Sequence, residues 1–201
     1  MAQSKSSSIL SKTEILDAAE QTLRRFGPDK TSVTDVAKLL GVSHGTLYRH
    51  YPSKVALREA VTERWLEEQI LAPLAEIAQK TTGDPLAQLR IYILKLIELK
   101  RHCASEDPEM FKMYAEVTVN SAALIEAHVQ CIYEQMSSVV ERGVREGILA
   151  DSVPSKVLSR SIVQATAGYH HPSHAYEWQR PGIDQEFEQL WALLEKGLEQ
   201  R

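Results

Sequence analysis

The stretch GVSHGTLYRHYPSK, residues 41–54, gathers Ser43, His44, Thr46, Tyr48, Arg49, His50 and Lys54 into one short helix and the start of the next. Their hydroxyl, imidazole, guanidinium and ammonium groups suit hydrogen bonding to base edges and phosphates. Core burial does not account for them. Leu47 alone reads as an inward anchor, which leaves the polar and aromatic side chains to be shared between a DNA groove and solvent.

Side chains can do this only if the preceding elements hold them rigidly. Ser11-Lys12-Thr13-Glu14 fits a capping box, followed at helical spacing by Ile15, Ala18, Ala19, Thr22, Leu23 and Phe26, and Gly27-Pro28 should end that helix. Ser32-Val33-Thr34-Asp35 is a second cap, with Val33, Val36, Ala37 and Leu40 on one face of a short helix stopped by Gly41. Ser43 caps a third helix reaching His50 or Tyr51, and Pro52-Ser53 breaks and caps again before a long fourth helix from Lys54. Two short capped helices joined by Gly41-Val42 form a helix-turn-helix, packed through Val33, Val36, Ala37, Leu40 and Leu47 against Ile15, Ala19 and Phe26. In such a unit the second helix enters the major groove.

Charge agrees with this placement. The chain carries 23 basic and 27 acidic residues, net −4, which alone argues mildly against a polyanionic partner. The balance is uneven, however: residues 1–60 sum to +3 and residues 61–201 to −7. DNA should meet the N-terminal end.

Thr31 to Leu57 closely resembles the DNA-binding signature of the tetracycline-repressor family of bacterial regulators. Thr34-Asp35-Val36-Ala37, Gly41-Val42-Ser43, Gly45-Thr46-Leu47-Tyr48 and Tyr51-Pro52-Ser53-Lys54 carry the resemblance, which extends over about residues 11–60. Residues 61–201 match only in length and helical character. Three positions depart from the pattern: His44 stands where Lys, Arg or Pro is common, Tyr51 replaces Phe, and Val55 replaces an acidic residue. The resemblance implies that Thr46, Tyr48 and His50 face DNA, that Ser32, Thr34 and Ser43 lie near phosphates, and that Lys54 contacts a phosphate, with His44 and Arg49 beside them. It further implies an all-helical homodimer that leaves a palindromic operator when a small-molecule effector binds. A constitutive DNA-binding protein without ligand and a metal-sensing regulator are the alternatives.

The rest of the chain reads as helices throughout, about nine in all, with Pro73 kinking or ending the fourth near residue 80. The expected organisation is a flexible tail over 1–10, the helix-turn-helix domain over 11–56 and a helical ligand-binding and dimerisation domain over 57–201. Helices opening at Pro85, at Pro108 and near residue 121 carry apolar stripes. Met110, Phe111, Met113 and Tyr114 with His128 and Ile132 suit an adaptable apolar cavity, to which His171 is added. A helix from Ser155 to about His170 offers small residues at Ser161, Gln164, Ala165 and Gly168. The last, from Gly182, places Phe187, Trp191, Leu194 and Leu198 at 3,4 spacing. By the same resemblance these eight residues are the expected dimer interface.

Other chemistries find little support. No GxSxG, HExxH or Walker loop is present, and Glu98 to His102 has the wrong spacing for a helical di-iron site. No cofactor is expected. His170 and His174 are separated by Pro172, which argues against one regular metal clamp; a discontinuous set of His128, His171 and Asp107 or Glu116 remains the metal alternative. Cys103 and Cys131 lack ligand spacing and read as thiols in a reducing compartment. Without a signal peptide or an apolar run of about 18–20 residues, no membrane partner and a cytoplasmic location are expected.

Overall fold

The computed structural model describes residues 10–199. The tail expected over 1–10 lies outside the described residues except for Leu10, which is half-buried against the core.

Ten α-helices follow one another: α1 Lys12–Lys30, α2 Val33–Leu40, α3 His44–His50, α4 Lys54–Leu66, α5 Ala72–Ala78, α6 Pro85–Glu106, α7 Pro108–Asn120, α8 Ala122–Arg145, α9 Ser155–Ala165 and α10 Ile183–Leu198. The described residues contain no β-strand beyond one isolated bridge between Leu149 and Glu199. The tenth helix comes from the long one expected after Lys54. A π-helical turn, Glu67–Leu71, separates α4 from α5, so the expected single run is widened just before Pro73. Proline offers no N–H to the preceding turn and its ring excludes the carbonyl four residues back; a widened turn accommodates both. Between α9 and α10 two 3₁₀ turns, Ala167–Tyr169 and Pro172–Glu177, replace the last turn expected of a helix running to His170.

Local sequence explains the N-terminal boundaries. Ser11 and Glu14 form the reciprocal capping box of α1, and Ser32 and Asp35 that of α2. Gly27, at φ 77°, interrupts α1, and the chain adds one further turn before Thr31. Gly41, at φ 67° and ψ 30°, ends α2 in the left-handed region that favours glycine, while Val42 N–H reaches back 3.0 Å to the Ala37 carbonyl.

Ile15, Ala19, Val33, Val36, Ala37 and Leu47 close the N-terminal core as expected. Phe26 does not: it is 48% exposed, with the Arg25 guanidinium 5.0 Å from its ring centre. It lies one residue before the Gly27 break and lines an open surface groove with Asp35, Lys38 and Leu39 of α2. The C-terminal body is centred on Trp65, Leu74, Leu89, Ile93, Leu96, Met113, Met136 and Trp191, each large apolar side chain contributing about 1.5–3 kcal/mol by leaving water.

Candidate nucleic-acid interface and the chamber behind it

Helix α3 presents Ser43, His44, Tyr48 and Arg49 to solvent, with Thr46 and His50 half-buried and Leu47 wholly inside. Several of these groups hold the unit together. Ser43 caps the helix by accepting from Thr46 N–H, and its hydroxyl lies 2.9 Å from the Thr46 hydroxyl. The Thr34 hydroxyl lies 2.6 Å from His44 Nε2, joining the two helices at their N-terminal ends. The His44 ring packs edge-on to Tyr48 at 5.5 Å. Ser32 uses its hydroxyl within the α2 capping box. Tyr48, 43% exposed, and His50 project without a side-chain hydrogen bond among those found, and Arg49 reaches Thr46 only at 3.4 Å. Lys54 is exposed at the first turn of α4, where Ser53 accepts from Ala56 N–H. This face brings together the serine-capped N-termini of α3 and α4 with cationic side chains.

A polar network joins this unit to the body. Asp107, between α6 and α7, accepts from Arg24 of α1 at 2.9–3.2 Å and from Trp65 Nε1 of α4 at 3.3 Å. Arg64 binds Glu20 and Asp17 of α1, and Arg58 pairs with Glu116 of α7. Lys112 of α7 reaches Asp29 at 2.6 Å, and Ser121 donates to Glu59 at 2.6 Å. The recognition unit is therefore clamped to α7 from both α1 and α4.

On its other side α7 packs into the core of the body, in the region of the expected ligand pocket. Met110, Met113, Tyr114, His128 and Ile132 come together and are buried. His171 does not join them; it is half-buried with its Nδ1 2.7 Å from Ser173. The set with His128, His171, Asp107 and Glu116 is not assembled, since the carboxylates serve Arg24 and Arg58, and no three metal-ligating side chains converge among the described residues. His128 instead abuts Lys100, which is 2% exposed on α6. The Lys100 ammonium lies 3.0 Å from Tyr114 Oη, 3.4 Å from His128 Nε2 and 4.1 Å from the Tyr114 ring centre. Burial pushes Lys100 down to about 7 and, aided by that ammonium, His128 down to about 2 and His170 to about 3.

The histidine shifts have a stability consequence. Both imidazoles stay neutral in the folded protein, whereas in the unfolded chain they take up protons near pH 6.5. Stability should therefore fall as pH drops below that value, by roughly 1.5 kcal/mol per histidine on reaching about pH 5. Urea midpoints measured at several pH values check this. His170→Gln should remove about half of the acid loss, and an unchanged slope would show that His170 titrates normally.

A cleft of about 360 Å³ lies between α4 and α8, lined by Glu59, Glu63, Leu66, Leu124, His128 and Cys131 among others. It gives His128 access to the surface. Cys103 is buried, Cys131 is exposed, and neither is paired.

Comparison with known proteins decides what this arrangement belongs to. The signature of "Bacterial regulatory proteins, tetR family" matches residues 15–61, and that of "Tetracyclin repressor-like, C-terminal domain" matches residues 85–191. The chain belongs to the tetracycline-repressor family. The HTH-type transcriptional regulator RutR of Escherichia coli K12 is 29% identical over 73% of this chain and 68% of its own length. The nucleoid occlusion factor SlmA of Vibrio vulnificus YJ016 is 24% identical over 90% and 92%. The solved repressor FadR of Thermus thermophilus, in complex with lauroyl-CoA, shares the fold with a TM-score of 0.66, at 22% identity over 93% of this chain and 94% of that one.

As a member of the tetracycline-repressor family, the protein is a DNA-binding transcriptional regulator, not an enzyme. No described helix is long and apolar enough to cross a membrane. The expected dimer face needs correction in one half. On α9 and just beyond it, Ser161, Gln164 and Ala165 are exposed and Gly168 half-buried. On α10, however, Phe187, Trp191 and Leu198 turn into the protomer's own core, with Phe187 stacked on Trp191 and edge-on to Tyr169. Leu194 is half-buried, and Leu193, 69% exposed, stands on the outer side instead. The spacing defines an apolar stripe correctly, but the body needs that stripe to close its own core. Sequence reasoning also missed Lys100. It continues the buried stripe of Leu89, Ile93, Leu96 and Ile97 at helical spacing, a signal that places even a lysine inside.

Proposed function

We propose that this protein is a homodimeric repressor whose grip on a palindromic operator is released when a small amphipathic molecule enters the C-terminal body. The observation that carries this reading is Asp107, through which the α6–α7 junction beside the apolar cluster holds both α1 and α4. A molecule that displaces α7 shifts Asp107 and Glu116, and with them Arg24, Trp65 and Arg58, so the two recognition helices of a dimer change spacing. Such a ligand releases DNA only by favouring the non-operator conformation, and operator DNA must weaken the ligand by the same factor. A coupling of about 1–3 kcal/mol, typical of such systems, gives roughly 5- to 150-fold loss of operator affinity. A repressor of the same fold, FadR, was solved with lauroyl-CoA, which supports a fold able to take a ligand with an apolar tail.

Selection of bound duplexes from a random pool tests the DNA half of the reading. A two-fold symmetric consensus is expected, with half-sites about one helical turn apart. Enrichment of an asymmetric site, or of no site, would overturn it.

A further inference from the structure

We infer that the effector carries one carboxylate on an apolar body, and that this carboxylate docks on His128 Nδ1 in the cleft between α4 and α8, with Lys100 on the far side of the imidazole ring holding its tautomer and supplying the positive charge. The inference rests on reading the C-terminal body as an effector chamber, and adds the chemical class of its occupant.

Donors without an acceptor carry the argument. In its protonated form Lys100 has only N–H groups to offer, so in that form His128 Nε2, facing it at 3.4 Å, is the acceptor. The imidazole proton then resides on Nδ1. That Nδ1 is buried with no hydrogen-bond partner, on a side chain that also lines the cleft. A buried N–H left unpaired is a cost that native interiors rarely carry. Lys100 lacks a counter-charge as well: no ion pair found among the described residues includes it, and its polar neighbours are Tyr114, His128 and Cys103. His170 and His171 are close enough to feel its charge, and burial above all keeps both pushed toward the neutral form. Every charge on that cluster is therefore positive or absent; a carboxylate at Nδ1 would supply the missing acceptor directly and an anion across the ring from Lys100.

The mouth of the cleft limits the choice further. Glu59, Glu63 and Glu67 line it, while Leu66, Leu71, Leu124 and Ala127 make the walls. Three carboxylates at the entrance repel a polyanion, whereas one carboxylate on an apolar tail finds a single cationic anchor inside. A fatty or aryl monocarboxylate fits this charge pattern better than a nucleotide thioester such as lauroyl-CoA.

The test is calorimetric titration of the full chain with hexanoate, decanoate and phenylacetate, each paired with the alcohol of the same tail, and with lauroyl-CoA. At least one acid should bind more than about tenfold tighter than its alcohol and than the thioester. In Lys100→Met that preference should vanish while binding of the alcohol persists; Lys100→Gln serves if the methionine variant does not fold. Titration in buffers of different ionisation enthalpy at about pH 8 adds an independent readout. Burial leaves most Lys100 neutral there, so pairing with an anion should draw up close to one proton per site. Failure of all three acids to bind, equal binding of acid and alcohol, or no proton uptake would overturn the carboxylate anchor. Operator release by the alcohols alone would leave the chamber reading standing without it; a protein that binds a selected operator but releases it for no probe would remove the chamber too.

Discussion

Replacing Tyr48 by alanine should erase discrimination between the operator and unrelated DNA while leaving the fold intact. Tyr48 is 43% exposed on α3, and its only resolved partner is the edge of His44. A side chain reading a base edge contributes about 1–3 kcal/mol of discrimination, and a symmetric dimer loses the contact twice. Lys54→Ala should behave differently. A phosphate contact holds every sequence equally, so affinity falls on all duplexes and the salt slope drops by about one per contact. Anisotropy titrations of selected and scrambled duplexes at several salt concentrations separate the two. Equal loss on both duplexes in Tyr48→Ala would make Tyr48 a phosphate contact, and no loss at all would take α3 out of the groove.

Leu193→Glu should turn a dimer into monomers and lower operator affinity by orders of magnitude. Leu193 is 69% exposed on the outer side of α10, and Ser161, Gln164 and Ala165 offer small or polar surface on α9. In an isologous interface one substitution places two carboxylates near the symmetry axis. A monomer then engages one half-site without the effective concentration that links it to the other. Sedimentation and operator titration report the two effects separately. A dimer that persists in both Leu193→Glu and Gly168→Glu would place the interface elsewhere. Trp191→Glu is no substitute, because Trp191 is 1% exposed and its loss would collapse the body.

The local signals in the sequence were sufficient for the recognition unit. Ser11, Ser32, Ser43 and Ser53 each cap the helix they precede, and Gly41 stops α2 in a left-handed turn. These are contacts between residues a few positions apart, and the chain spells them out. Pro73 marked the place where the long helix is irregular, but as a kink or an end rather than as the π turn Glu67–Leu71 that precedes it. Apolar spacing put Met110, Met113, Tyr114, His128 and Ile132 on buried faces, but it could not tell a packed core from a cavity, and of the five only His128 lines the cleft between α4 and α8. It could not place Phe187 and Trp191 on the inside rather than the outside of a protomer, since one stripe serves either use. Least legible were the pairs that join the two parts, such as Arg24 with Asp107, which lie 83 positions apart. No periodicity marks a partner at that distance.

Those long-range pairs set a limit on modular engineering. Regulators of this architecture invite recombination, with one member's recognition unit grafted onto another's sensor body. Here the junction is not blank: Arg24, Arg58 and Arg64 meet Asp107, Glu116 and Glu20, and Lys112 meets Asp29. A graft of α1 to α3 alone would carry Arg24 and Asp29 away from their mates and leave Asp107 and Lys112 behind in this body. A working hybrid should carry the acidic complement of α7 along with the recognition helix. Otherwise it would bind DNA normally and ignore its signal.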